Sequence, residues 1–138
     1  MNDPFLCVRG VTKYYKIFNR SLEVLRGVNL QIERGEFLAL RGASGAGKST
    51  LLHLMGGLDS PNSGEILLGG RDIAKFSETE LSHFRNRRVG FIFQAYHLLP
   101  ELTALENVCL PARIGRLSAP AAAARAAALL QQVGLKDR

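Results

Sequence analysis

An α/β domain is the fold class this sequence predicts, on three observations. A short apolar run, Glu36–Leu40, leads straight into a glycine-rich stretch followed by a helical pattern; short β-like runs flank it on both sides; and the last third of the chain reads as helix. In order, Phe5–Val11 and Glu23–Ile32 predict strands, the second because Val24, Val28, Leu30 and Ile32 fall partly on alternate positions. Arg34-Gly35 supplies a turn, and Glu36–Leu40 (EFLAL) suits a buried parallel strand. A helix is expected from near Ser49 through Leu51, Leu52, Leu54 and Met55 until Gly56-Gly57 stop it. Beyond a Pro/Asn/Ser loop at 60–63 come a strand at Glu65–Leu68, a Gly69-Gly70 turn, a polar helix around Glu78–Arg87 and a second buried strand, Val89–Phe93. Thr103–Cys109 reads as helix, and Ser118 with Pro120 opens an Ala-rich helix that Gly134 closes.

Composition bounds the class. With 138 residues, 46% hydrophobic, 22% charged and a net charge of +6, the chain has the make-up of one globular domain rather than a disordered or collagenous one. Its most apolar long stretch, Ala119–Leu130, is broken by Pro120 and Arg125 and falls short of the roughly eighteen residues a membrane helix needs. The start, Met1-Asn2-Asp3-Pro4, has no basic segment followed by an apolar one, so the expectation is a chain that is not exported. Cys7 and Cys109 sit in apolar surroundings and read as reduced, buried thiols. The basic residues are spread out except for Arg85, Arg87 and Arg88, which suit a solvated helix C-terminus, and no nucleic-acid partner is expected.

Chemistry concentrates in Gly42-Ala43-Ser44-Gly45-Ala46-Gly47-Lys48-Ser49, which fits the phosphate-loop pattern G-x-x-x-x-G-K-[ST]. Its glycines allow successive backbone N–H groups to converge on phosphate oxygens, and the helix that follows adds its partial positive charge. Lys48 is the cation for the β- and γ-phosphates, and the Ser49 hydroxyl is a ligand for Mg²⁺. Hydrolysis would also need a carboxylate at the end of a second buried strand. After Gln94 the acids are Glu101, Glu106 and Asp137, none behind an apolar run, while Asp59 and Asp72 lie in turns.

GASGAGKST, then LLHLMGGLDSPNSGEI, then VGFIFQAYHLLPELTALENVCLP, in this order, resemble the ATP-binding subunits of ABC transporters. Within them the similarity is greatest to subunits of lipoprotein-releasing systems, with macrolide-export and cell-division ATPases next. The resemblance covers residues 5–138 and implies a P-loop NTPase fold of ABC type, with an ATP-binding core at 5–94 and the start of a helical subdomain at 95–138. It implies ATP and Mg²⁺ as cofactors, held by Gly42, Ala43, Ser44, Gly45, Ala46, Gly47, Lys48, Ser49 and Thr50. Tyr15 falls where the family stacks an aromatic ring on adenine, with the adjacent Tyr14 as the alternative. Gln94 matches the glutamine that contacts Mg²⁺ or the attacking water, so Lys48 and Gln94 are the catalytic candidates and Ser49 and Gln94 the metal ligands.

Residues from Tyr96 to Val108, with His97, Leu98, Leu99 and Pro100 as contacts, match the surface that receives the membrane subunits. The family further implies a second ATP-binding subunit in a dimer, and a peripheral place on the cytoplasmic face of the inner membrane. The activity implied is ATP hydrolysis coupled to lipoprotein release. A signature sequence, an Asp-Glu strand and a switch histidine belong to the family pattern, whereas no SGG triplet and no Asp-Glu pair occurs in these 138 residues. The alternatives are a nucleotide-binding remnant without turnover and an export ATPase of the macrolide or cell-division type; a small nucleotide kinase is disfavoured by the 41 residues ahead of the loop.

Overall fold

Four strands and four α-helices make up the computed structural model, which describes residues 4–136. Residues 1–3, part of the start read for a leader, and Asp137, one of the acids after Gln94, lie outside the described residues. Strands β1 (Leu6–Ile17) and β2 (Arg20–Ile32) form a long antiparallel hairpin. β3 (Ser63–Leu68) pairs antiparallel with the other edge of β1, and the two-residue β4 (Arg71–Asp72) with β3, giving the order β2-β1-β3-β4. Apolar residues at Val8 and Val11 of β1, Ile66 of β3 and Leu54 of the first helix are at most 1% exposed. Each such side chain contributes about 1.5–3 kcal/mol of transfer free energy.

Helix α1 (Lys48–Met55) begins at Gly47 and ends at Gly56, whose N–H reaches the Leu52 and Leu54 carbonyls; this is the helix expected from Ser49 to Gly56. A 3-10 turn (Ile73–Lys75), capped by the Asp72 carboxylate through the Ala74 N–H at 3.1 Å, leads to α2 (Glu78–Arg88). At the start of α2 the Glu80 carboxylate accepts from the Ser77 N–H and hydroxyl at 2.9 and 2.8 Å, and the arginines at 85, 87 and 88 fall in its last turn, where they favour the dipole.

Two compact units divide the chain, one ending at Ser82 and one beginning at His83. In the second, α3 (Ala104–Ile114) opens on a reciprocal cap: Thr103 accepts from the Glu106 N–H at 3.3 Å, and Glu106 accepts from the Thr103 N–H at 2.8 Å. The Ala-rich α4 (Ala119–Gln132) follows Ser118 as expected and buries Ala122, Ala126 and Leu130, one face at i, i+4, i+8, in a helical pair with α3.

Two sequence expectations are corrected. Neither Glu36–Leu40 nor Val89–Phe93 is a buried strand: both are irregular and unpaired among the described residues, with Phe37 98% and Ile92 103% exposed. A parallel strand forms only when neighbours hydrogen-bond along its edges, and among the described residues neither segment joins the sheet. Cys7 is buried as expected, whereas Cys109, on α3, is only half-buried; neither forms a disulfide.

Candidate functional site

The candidate site is built on the turn that launches α1. Gly45 and Gly47 have φ of 79° and 82°, a left-handed conformation that glycine enters without steric cost. Gly47 has a second reason to lack a side chain, because a Cβ there would meet Leu25 Cδ2 at 2.7 Å and the Val24 carbonyl at 3.0 Å. The first turn of α1 is thereby seated directly against β2, and the Leu51 N–H closes the first helical bond onto the Gly47 carbonyl at 2.9 Å. Lys48, half-buried, turns its ammonium back on the loop, donating to the Gly42 and Ala43 carbonyls at 2.9 and 2.7 Å. Ala46 donates to the Ala43 carbonyl at 3.3 Å, so the loop is curled on itself both by its own backbone and by the Lys48 side chain. Ser44 and Ser49 are exposed, and Thr50 is half-buried.

Tyr15 belongs to a cluster beside α1. Its phenol donates to Asp59 Oδ2 at 2.8 Å, with the Thr50 side chain as a second hydrogen-bonding neighbour. Lys13, two residues earlier on β1, donates to Asp59 Oδ1 and to the Ser60 carbonyl, both at 2.7 Å, and its ammonium lies 4.9 Å from the Tyr15 ring centroid. Lys13 is only 7% exposed, which makes this the most buried ion pair in the described residues. Burial opposes ionisation of Asp59, yet the hydrogen bonds from Lys13, Tyr15 and the Ser60 N–H outweigh it and hold the carboxyl below its ordinary range. Burial, joined by the neighbouring Asp59, pushes the Tyr15 phenol above its ordinary range. Tyr14 contributes its backbone instead, its N–H donating to Asn62 Oδ1 at 2.8 Å.

Gln94 lies in the second unit, exposed, just after Phe93. Phe91 and Phe93 stack at 5.2 Å, and His97 meets the Phe93 ring edge-on at 4.8 Å. The following loop is exposed at Tyr96 (91%) and Leu98 (64%). Asn107 on α3 holds it in shape: the side-chain carbonyl accepts from the Leu99 N–H at 2.9 Å, and the amide donates to the Leu99, Leu102 and Thr103 carbonyls at 3.0–3.1 Å. Asp59 and Lys13 carry no sequence-based expectation of a role, and Asn107 only that of belonging to the Tyr96–Val108 surface. A signal for the first pair existed, since Lys13 occupies the inward position of β1 two residues from buried Val11.

Comparison with known proteins decides the family: the ABC transporter profile matches residues 25–138. This chain belongs to the ABC transporter family. It is similar to the lipoprotein-releasing system ATP-binding proteins LolD of Myxococcus xanthus (49% identity over 133 residues, 96% of this chain and 59% of that protein) and Bdellovibrio bacteriovorus (56% over 117 residues, 85% and 53%). Among solved structures, a dimeric ATP-binding cassette in a post-hydrolysis state bound to ADP and Pi is 38% identical, with a TM-score of 0.86 over 96% of this chain and 59% of that one. The fold is therefore that of the ABC-type P-loop NTPase, and the chain spans about three fifths of the relatives it matches. No helix in the described residues is long and apolar enough to cross a membrane.

Proposed function

We propose that this chain is the N-terminal part of an ATP-binding subunit of a lipoprotein-releasing ABC transporter, peripheral on the cytoplasmic face of the inner membrane and paired with a second copy in a dimer. The observation that carries it is the loop: glycines left-handed at 45 and 47, and Lys48 opening a helix against β2. An ammonium has three N–H donors and two are used on the Gly42 and Ala43 carbonyls, so Lys48 also keeps the loop curled while serving a phosphate oxygen. The backbone N–H groups of Gly45 and of Gly47 to Thr50, with the start of α1, supply the remaining positive potential for the phosphates of ATP. Residues 5–94 act as the ATP-binding core and 95–138 as the start of the helical subdomain.

The Ser49 hydroxyl, exposed on the first turn of α1, is a hard oxygen of the kind Mg²⁺ takes, and Mg²⁺ on a nucleotide uses few protein ligands and several phosphate and water oxygens. Ser49 and Gln94 are the residues that would hold it, and when bound it neutralises charge building on the transferred phosphoryl group. Gln94 also orients the water, Tyr15 stacks on adenine in preference to Tyr14, and the loop from Tyr96 to Val108 receives the membrane subunits. Tyr15 is favoured because its ring, not that of Tyr14, is hydrogen-bonded beside Thr50 on α1. Names of the relatives support lipoprotein as the cargo.

The test uses the full-length subunit reconstituted with its membrane partners in lipoprotein-loaded liposomes. ATP-dependent release that is lost in Lys48→Ala is expected. Turnover of ATP with no release of lipoprotein, or release unaffected by Lys48→Ala, would contradict the proposal.

A further inference from the structure

The Lys13–Asp59 pair does more than join β1 to the loop after α1. Asp59 divides its two carboxylate oxygens, one to the Lys13 ammonium at 2.7 Å and one to the Tyr15 phenol at 2.8 Å. Lys13 in turn reaches both Asp59 and the Ser60 carbonyl, and from that position covers one face of the Tyr15 ring at 4.9 Å. Asp59 is itself fixed by its hydrogen bond from the Ser60 N–H at 2.7 Å. The ring is thus held at two points, by its hydroxyl and by a cation over one face, and it remains 37% exposed. A flat base can stack only on the face that Lys13 leaves uncovered.

We infer that Lys13 and Asp59 are positioning residues that lock the Tyr15 ring for an adenine base beside the phosphate loop. The inference rests on the reading of Tyr15 as the adenine contact. Its chemistry is preorganisation: a ring already fixed loses no rotamer freedom when a base stacks on it, so binding keeps more of the stacking free energy. The cation on the covered face also draws electron density toward itself, favouring an electron-rich purine on the other. Among the described residues Lys13 and Asp59 bond to each other, to Tyr15 and to Ser60 and not to the loop Gly42–Ser49, so their effect is confined to nucleotides that bring a base.

The experiment measures Mg²⁺-dependent binding of ATP and of inorganic tripolyphosphate to the full-length subunit. Lys13→Met with Asp59→Leu removes the pair without leaving either charge buried alone, and Tyr15→Phe removes only the anchoring hydroxyl. Expected are losses of about three- to tenfold in ATP affinity for Tyr15→Ala and for the double variant, none for tripolyphosphate, and no further loss when the double variant is combined with Tyr15→Ala. Tyr15→Phe should lose ATP affinity in the same direction, and it decides the matter should the double variant fail to fold. Unchanged ATP affinity in Tyr15→Phe and in the double variant, with Tyr15→Ala weakened, overturns the positioning role alone. Unchanged affinity in Tyr15→Ala overturns the adenine reading and this inference with it. Equal losses for ATP and tripolyphosphate overturn it too, since the pair would then act through the phosphate loop.

Discussion

The β1–β2 hairpin and the segment Glu36–Leu40 are both apolar-rich and both read as strand, yet only the hairpin is one. β1 finds β2 across a turn of two residues and β3 on its other edge, so every stretch of it is laddered and Val8 and Val11 are buried. Glu36–Leu40, and likewise Val89–Phe93, have no described partner, and Phe37 and Ile92 stand in solvent. Apolar sequence marks a segment for burial, but strand geometry is conferred by the partner. An antiparallel partner can follow within a two-residue turn, as β2 follows β1, whereas a parallel one needs a crossover of a dozen residues or more.

Substitutions break this contrast in graded fashion. Ile66→Ala, at a fully buried site joining β3 to β1, should cost about 2–5 kcal/mol in chemical denaturation. Thr103→Ala should cost about 1 kcal/mol by removing the cap of α3, a local feature that needs no distant partner. Acid should loosen the same cap. The Glu106 carboxyl is lowered chiefly by the Thr103 N–H and then by its hydroxyl, and Glu80 likewise by Ser77. A lowered folded-state value means the contribution is present above the ordinary glutamate range and is lost as pH falls below it, so helical ellipticity should decline there. Phe37→Ala should change the stability of this chain by less than about 0.5 kcal/mol, being exposed. A core-sized loss for Phe37→Ala would show that the segment is packed after all.

Much of the molecule was legible because its signals are local. The loop Gly42–Ser49, the helix ending at Gly56, the Ser118/Pro120 start of α4 and the strand at Glu65–Leu68 each announce themselves within a few residues. The network around Tyr15 was not legible. Lys13 and Asp59 are 46 positions apart, and a lysine inside a strand or an aspartate after a helix ordinarily reads as solvated surface. Asn107 was hidden for the same reason, since one polar side chain satisfying four backbone groups of a loop is visible only once the loop is folded. What sequence conveys well is the element; what it conveys poorly is the side chain that holds two elements together.

If Gly42–Ser49 binds the phosphates of ATP through Lys48, removing that ammonium must weaken nucleotide binding. Calorimetric titration of Mg²⁺-ATP into the full-length subunit and its Lys48→Ala variant tests it most directly. The variant is expected to lose at least about tenfold in affinity, the scale of a charge-assisted contact to phosphate. Equal affinity in the two proteins would contradict it.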